Sequence, residues 1–418
     1  MKKIRTSHRG WFLSCLRSGA EIPAKLKGQY QRVAHKRLNM TRYKASRIAG
    51  TSFLTLLIVL GCGLFAGQTA FGRALDWKPQ RTWVFVVGTL KWKHSDVFNS
   101  FPQKNRRDAQ LVDFFRQQGV PENQLVYLQD SQATTRRVRA SFATFLSQAR
   151  PGDLLFFYYC GHGYKSDDER TTYFATYDAG DDVPGWPTNA VLRDIEKNFK
   201  GSRAILTADS CYSGTLAEQA RRTNHKVSYA VLTSASASEL STENWTFTEM
   251  LLAGLKGKPY ADIDGDGLIT LGEVAEGVQE DMSFAEEQQA AFITTERSMA
   301  GTALAAAPQK ANSEISRRVE VQSEGDWYKA RIIDARAGRF RVHYYGWEDS
   351  DDEWVLPRQI RKSKTDQYGA GAIVEVNWHG QWYSAKVLKV DREDHLIHYV
   401  GYDDSWDEWV SPERIRRP

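Results

Sequence analysis

The sequence predicts an α/β fold, a mainly parallel sheet flanked by helices, followed by two small all-β barrels. Three observations lead there. Between Thr82 and Leu304 short apolar runs alternate with segments of helical spacing, the pattern of successive strand–helix units. Two of those runs end in Gly-rich turns that carry an imidazole and a thiol. After a linker rich in Ala, Gln, Asn and Ser (305–316), one segment occurs twice at an offset of fifty-five residues.

Taken in order, Thr82–Val87 reads as a buried strand. Arg106–Gln118 carries Leu111, Phe114 and Phe115 at helical spacing and stops at Gly119. Leu125–Leu128 is a strand, and Ala133–Ala149 a helix with Val138, Phe142 and Phe145 on one side. Leu154–Tyr159 and Ala204–Ala208 are strands with the helix Val191–Phe199 between them. Tyr229–Thr233 is a strand, and Phe247–Leu255 and Leu271–Met282 are helices.

The net charge of +5 is unevenly spread. Residues 1–50 hold thirteen Lys/Arg and one acid, and the remainder holds 43 basic against 50 acidic residues. The globular part is therefore mildly acidic, which argues against a general nucleic-acid surface. The basic head precedes an uncharged stretch, Ile48–Gly72, long enough to span a bilayer. By charge bias the expectation is a single-pass membrane protein with its globular part exported. The alternative is secretion after signal cleavage at Gly72-Arg73-Ala74.

The chemistry is concentrated in Tyr159-Cys160-Gly161-His162-Gly163 and Ala208-Asp209-Ser210-Cys211-Tyr212-Ser213-Gly214. A thiol becomes a nucleophile as the thiolate, and a neighbouring His is the usual means. Cys211 is the candidate nucleophile and His162 the base and proton donor. The backbone N–H groups of Cys211 and Gly163 are the candidate oxyanion donors. These two motifs, in this order and forty-nine residues apart, resemble the caspase and metacaspase superfamily of cysteine peptidases. The run Asp-x-Cys-x-Ser-Gly is similar to the metacaspase and bacterial caspase-like form. The resemblance implies a caspase-like sheet and a protein or peptide substrate. It also implies cleavage after Arg or Lys, with Asp108 and Asp209 as pocket acids and Cys160 lining the pocket. Arg221, Arg222 and Lys226 follow the nucleophile, where this family often cuts itself. The rival reading is a silent scaffold whose barrels act as a binding module. A third is a redox switch pairing Cys160 with Cys211.

Asp262–Glu273 meets every position of an EF-hand loop. Asp262, Asp264, Asp266, the Leu268 carbonyl, Thr270 and Glu273 are the candidate calcium ligands. Calcium is the one cofactor expected; no organic cofactor is. The resemblance also implies a separate acid cluster, for which Asp178, Asp181, Asp182 and Glu218 are the candidates.

The repeat pairs 319–361 with 374–416 at nineteen identities in forty-three columns, too many for coincidence. His-Tyr-x-Gly followed by Asp-Glu-Trp-Val resembles the Tudor-knot or chromo-barrel family in both copies. The resemblance implies an aromatic ligand cage at Tyr383, Tyr399, Tyr402 and Trp406. In the first copy the matching positions are Tyr328, Tyr344, Trp347 and Asp351, and the acid breaks that cage. Trp354 and Trp409 are expected in the cores. The ligand of the barrels is unknown. The expected division is 1–47 basic segment, 48–72 membrane anchor or signal peptide, 80–305 peptidase domain, and 317–363 and 371–418 barrels.

Overall fold

The computed structural model describes residues 76–418 apart from 223–224, 310–312, 362–367, 369–370, 392–393 and 417–418. The first elements are β1 (Thr82–Gly88), α1 (Arg107–Gln117), β2 (Leu125–Gln129), α2 (Thr135–Ser147) and β3 (Leu154–Cys160). Next come three short strands, β4 (Gly163–Lys165), β5 (Thr172–Phe174) and β6 (Trp186–Pro187), then α3 (Thr188–Asn198) and β7 (Arg203–Asp209). The chain continues through α4 (Gly214–Arg221), β8 (Ser228–Thr233), α5 (Thr246–Leu255), β9 (Leu268–Thr270), α6 (Leu271–Asp281), β10 (Ala291–Thr294) and β11 (Ala303–Ala306).

The main sheet has the order β10-β8-β7-β3-β1-β2. Its strands are parallel except β10, which runs antiparallel to β8. The chain moves outward one way from β1 to β2 and the other way from β3 to β7, so the order reverses between β1 and β3. In open α/β sheets ligands bind beyond the carboxyl ends of the strands at that reversal. All seven residues of β1 and of β3 are buried, because both faces are covered. Val84, Val86, Phe156 and Tyr158 pack with Leu111 and Phe115 of α1 and with α5 and α6. Phe85, Val87, Phe157 and Tyr159 pack on the opposite face with α2, α3 and α4.

Two five-stranded antiparallel sheets follow, one per repeat. The first contains β12 (Arg318–Ser323), β13 (Asp326–Arg336), β14 (Arg339–Tyr344), β15 (Glu353–Val355) and β16 (Ile360–Arg361). The second repeats it as β17 (Ile373–Trp378), β18 (Gln381–Asp391), β19 (Asp394–Tyr399), β20 (Glu408–Val410) and β21 (Ile415–Arg416). Each curls around its own small core, Val319, Val321, Ile332 and Val342 in the first and Val374, Val376, Val387 and Ile397 in the second. Trp409 is buried as expected, whereas Trp354 is 40% exposed with Arg336 stacked beside it.

Both sheets rest on the preceding domain. Arg318 is buried between Glu280, Asp281 and Asp394, the last from the second repeat. Arg331 pairs with Asp281, whose carboxylate also accepts from Tyr345 at 2.8 Å. Arg107 on α1 reaches Glu249 and Asp349, each at 2.7 Å.

The single-pass membrane anchoring expected from 48–72 is corrected here. No helix among the described residues is long and apolar enough to cross a membrane. The longest, α2 with 13 residues, rises about 20 Å against a hydrocarbon core of about 30 Å. The apolar stretch 48–72 itself lies outside the described residues, as do the basic head and the cleavage positions 72–74.

Candidate active site

The register of β3 against β7 sets the site. Cys160 lies opposite Asp209, so His162 and Cys211 each stand two residues beyond a matched pair on adjacent parallel strands. Gly161 N–H donates to the Asp209 carbonyl at 3.3 Å and carries the crossing between the two turns. Gly163 lies so close to the turn at Cys211 that a Cβ there would sit 2.1 Å from the Cys211 carbonyl oxygen. Only glycine fits that approach.

His162 is half-buried among Trp92, Phe98 and Phe101, with ring centroids 4.4–5.5 Å away. Its Nε2 is 2.9 Å from the Asn99 carbonyl. A carbonyl only accepts, so Nε2 carries the proton and Nδ1 of the neutral ring is left as the base. Burial pushes the imidazole below its ordinary range, partly offset by the Asn99 bond. Cys211 Sγ accepts from Ser241 N–H at 3.2 Å and lies 3.8 Å from the Ser241 carbonyl. Tyr212 has φ +57°, and its N–H donates to the Glu239 carbonyl at 2.8 Å. The turn after Cys211 is thus held by the segment 236–241. Asn99, Glu239 and Ser241 carry no motif, and Asn99 and Ser241 act through backbone groups that every residue has.

The three candidate pocket residues lie in different environments. Asp209, at the end of β7, accepts from Thr248 Oγ1 at 2.7 Å. Burial pushes its carboxyl up to about 7, with Glu286 and Glu249 adding to the rise against bonds from Thr248 and Ser234. Asp108 is fully buried and already engaged. Arg106 pairs with it at 2.7 Å, and the Tyr127 hydroxyl donates to it at 2.8 Å. The same guanidinium reaches Asp130 at 2.6 Å and the Gly88 carbonyl at 2.9 Å. Gly88 is required there, because a Cβ would fall 1.8 Å from the Asp108 carboxylate. Cys160 is buried on the same face as Tyr158, and burial and the nearby acids push its thiol well up. Cys160 and Cys211 are not joined in a disulfide. Beyond Cys211, α4 ends at Arg221 and Arg222 is an exposed partner of Glu218 at 3.3 Å.

In the acidic loop, carboxylate oxygens of Asp262, Asp264 and Glu273 lie within 4.8 Å of one another. An all-oxygen set of this kind suits a hard cation such as calcium. Gly265 and Gly267 N–H bond to Asp262, and Ile263 N–H to Glu273 at 2.8 Å. Asp266 instead accepts from Leu268 N–H, and Thr270 caps α6 in a reciprocal box with Glu273. Asp178, Asp181, Asp182 and Glu218 do not converge on a shared ligand point among the described residues. Asp178 instead accepts from Thr135 N–H at the start of α2, at 2.7 Å.

In the second repeat Trp378, Tyr383, Tyr402 and Trp406 form a closed ring, with neighbouring centroids 5.6–6.4 Å apart. Trp378 was not among the expected cage residues. Tyr399 touches Tyr383 and Tyr402 but is 5% exposed, its hydroxyl bonded to Glu408. The first repeat has Tyr328, Tyr344 and Trp347 in mutual contact, while Asp351 turns to cap its own short helix. Trp378 corresponds to Ser323 in that copy, so comparison of the repeats was the signal that distinguished it.

Three comparisons bear on this arrangement. Residues 116–220 match the family described as metacaspase, peptidase C14 domain. Residues 317–364 match the Agenet domain, and 369–417 the Tudor-knot, described as the RNA binding activity-knot of a chromodomain. Metacaspase-7 of Arabidopsis thaliana is 28% identical over 120 residues, covering 27% of this chain and 29% of that protein. Metacaspase-1 of Mycosarcoma maydis is 29% identical over 120 residues, covering 25% and 29%. The chain thus spans under a third of the length of these curated relatives. A crystal structure of a Geobacter sulfurreducens protein aligns with TM-score 0.41 at 14% identity, over 55% of this chain and 100% of that one. The chain carries a metacaspase-type peptidase C14 domain of the cysteine-peptidase class, followed by an Agenet and a Tudor-knot domain.

Proposed function

We propose that the chain is a cysteine endopeptidase working through His162 and Cys211. His162 Nδ1 takes the thiol proton, and the Cys211 thiolate attacks the peptide carbonyl. The imidazolium returns the proton to the departing amine, and water then releases the acyl group. The N–H groups of Cys211 and Gly163 are the oxyanion donors in this reading. The observation that carries it is the matched register of Cys160 with Asp209, which sets the two turns side by side. The Asn99 carbonyl supports it by leaving Nδ1 as the base.

Selectivity for Arg or Lys falls to Asp209 in this reading, because Asp108 is committed to Arg106. Cys160, buried beside it on the neighbouring strand, is a wall rather than a contact. Asp262, Asp264 and Glu273 would hold a calcium ion, which would tie the start of α6 to the loop before it. The ring of Trp378, Tyr383, Tyr402 and Trp406 fits a methylated ammonium by cation–π attraction. The boundaries 80–305, 317–363 and 371–418 divide these roles.

The test is turnover of a peptidyl-Arg amide by the full chain, compared with its peptidyl-Asp counterpart. Arg-selective hydrolysis that vanishes in Cys211→Ala supports the reading. Hydrolysis unchanged in that variant, or none in the parent chain, refutes it.

A further inference from the structure

We infer that Glu239 is a positioning residue through which the Tudor-knot domain sets the nucleophile turn, so that this domain is part of the working peptidase. The inference rests on the reading of Cys211 as nucleophile.

The chain of contacts is short. Glu239 is buried, with 1% exposure. Its carbonyl accepts from Tyr212 N–H, the residue after Cys211, at 2.8 Å. Its carboxylate faces the other way. Oε2 accepts from Ser236 N–H at 3.3 Å and Gln289 N–H at 3.0 Å, tying its own segment to the stretch before β10. Oε1 accepts from the Trp378 indole N–H at 3.1 Å and lies 3.3 Å from His379 Nε2. Two residues beyond Glu239, Ser241 N–H donates to Cys211 Sγ. One residue therefore links, through its carboxylate, a domain fused behind the peptidase and, through its carbonyl, the backbone beside Cys211, two positions before the donor on that sulfur.

The charges favour the clamp. A buried carboxylate without partners would protonate. Here His379 and Arg414, both from the second repeat, hold Glu239 below its ordinary range despite burial. Arg414 is fixed in turn by Glu408 at 2.8 Å on both nitrogens and by the Asn377 carbonyl at 3.0 Å. The internal repeat serves as a control. His379 has φ +50° and its counterpart Glu324 has φ +51°, so the hairpin geometry is the same in both copies. The first copy has Ser323 and Glu324 where the second has Trp378 and His379. A Glu in place of His379 would repel Glu239, so only the second repeat can seat here.

An N–H donor on sulfur favours the thiolate. Loosening the clamp moves Ser241 off Cys211 and makes the thiolate harder to form.

The experiment uses the full chain and Trp378→Phe, which keeps the ring and removes the one N–H. Glu239→Ala is the stronger variant, and Trp378→Phe keeps the test open should that one fail to fold. The first readout is the rate of Cys211 alkylation by iodoacetamide across pH, with the labelled peptide mapped. The midpoint of that profile is set among His162, Asp209, the Tyr159 hydroxyl and the Ser241 N–H. The second is kcat and KM on a peptidyl-Arg amide. The expected result is a higher midpoint and a loss of about tenfold carried by kcat rather than KM. A wild-type midpoint and wild-type kcat in folded Trp378→Phe overturn the inference. If the midpoint moves but the parent chain hydrolyses nothing, the coupling stands and the peptidase reading falls.

Discussion

At Asn99 a single carbonyl decides which nitrogen of His162 is basic, and burial decides how basic it is. The ring is pushed below its ordinary range, while the Asp209 carboxyl is pushed up to about 7. These two groups give different pH limits. For a substrate with Arg before the cleaved bond, kcat/KM is expected to fall as pH drops through about 7, where Asp209 loses its charge. For a substrate with an uncharged residue there, the acid limb is expected lower, at the His162 value. Parallel pH profiles of the two substrates check this. Asp209 also costs stability. A carboxyl raised in the fold binds its proton more tightly there than in the unfolded chain. Its contribution is complete below the ordinary carboxylate range and is lost as pH rises through about 7. Asp209→Asn is therefore expected to raise the thermal midpoint at pH 8 by roughly 2–4 °C while removing preference for Arg. The Gly-rich turns that frame His162 and Cys211 stand out in the sequence, and the strands that carry them lie side by side in the sheet. Arg106 carried no such signal; that it closes over Asp108 depends on the Gly88 carbonyl and the Asp130 carboxylate, which hold the same guanidinium.

Among the elements, the strands β1, β3 and β7 were readable to within a residue, since a buried parallel strand is a continuous apolar run. The antiparallel edge strand β10 and the three short strands β4–β6 were not. Two- to four-residue strands carry no periodicity, and β6 is only Trp186–Pro187. Yet β4 begins at Gly163, so this small sheet anchors the turn that holds His162. Gly163→Ala is expected to cost about 1–3 kcal/mol of stability, read by denaturant unfolding, with loss of turnover, because the added methyl meets the Cys211 carbonyl. The acidic loop was legible as a pattern, and carboxylate oxygens of Asp262, Asp264 and Glu273 converge there. Thr270 and Glu273 close a capping box at the start of α6, a local bond the spacing also permits. Calcium is expected to raise the thermal midpoint of the full chain, and Glu273→Gln to abolish that rise while leaving the cap's hydroxyl in place. A midpoint indifferent to calcium counts against the site.

On the scale of the whole molecule, the linker 305–316 separates the barrels from the peptidase domain in sequence alone. Buried charge ties them to it instead. Arg318 meets Glu280 and Asp281 of α6 and Asp394 of the second repeat. Such pairing has no sequence period, which is why the docking was not legible although both repeats were. Removing one partner strands the others in a buried setting, so Arg318→Ala is expected to destabilise the chain by about 3–5 kcal/mol, measured by urea unfolding of the whole chain. The docking brings Trp378 to Glu239, whose carbonyl holds Tyr212, so two domains rather than one meet beside Cys211. All of this depends on Cys211 being the reactive sulfur beside His162. The most direct measurement is covalent labelling of the full chain with a peptidyl-Arg chloromethyl ketone, followed by mass mapping of the modified peptide. The account predicts one label, on Cys211, blocked by prior iodoacetamide and slowed in His162→Ala. A label on Cys160, or none on Cys211 in folded protein, would contradict it.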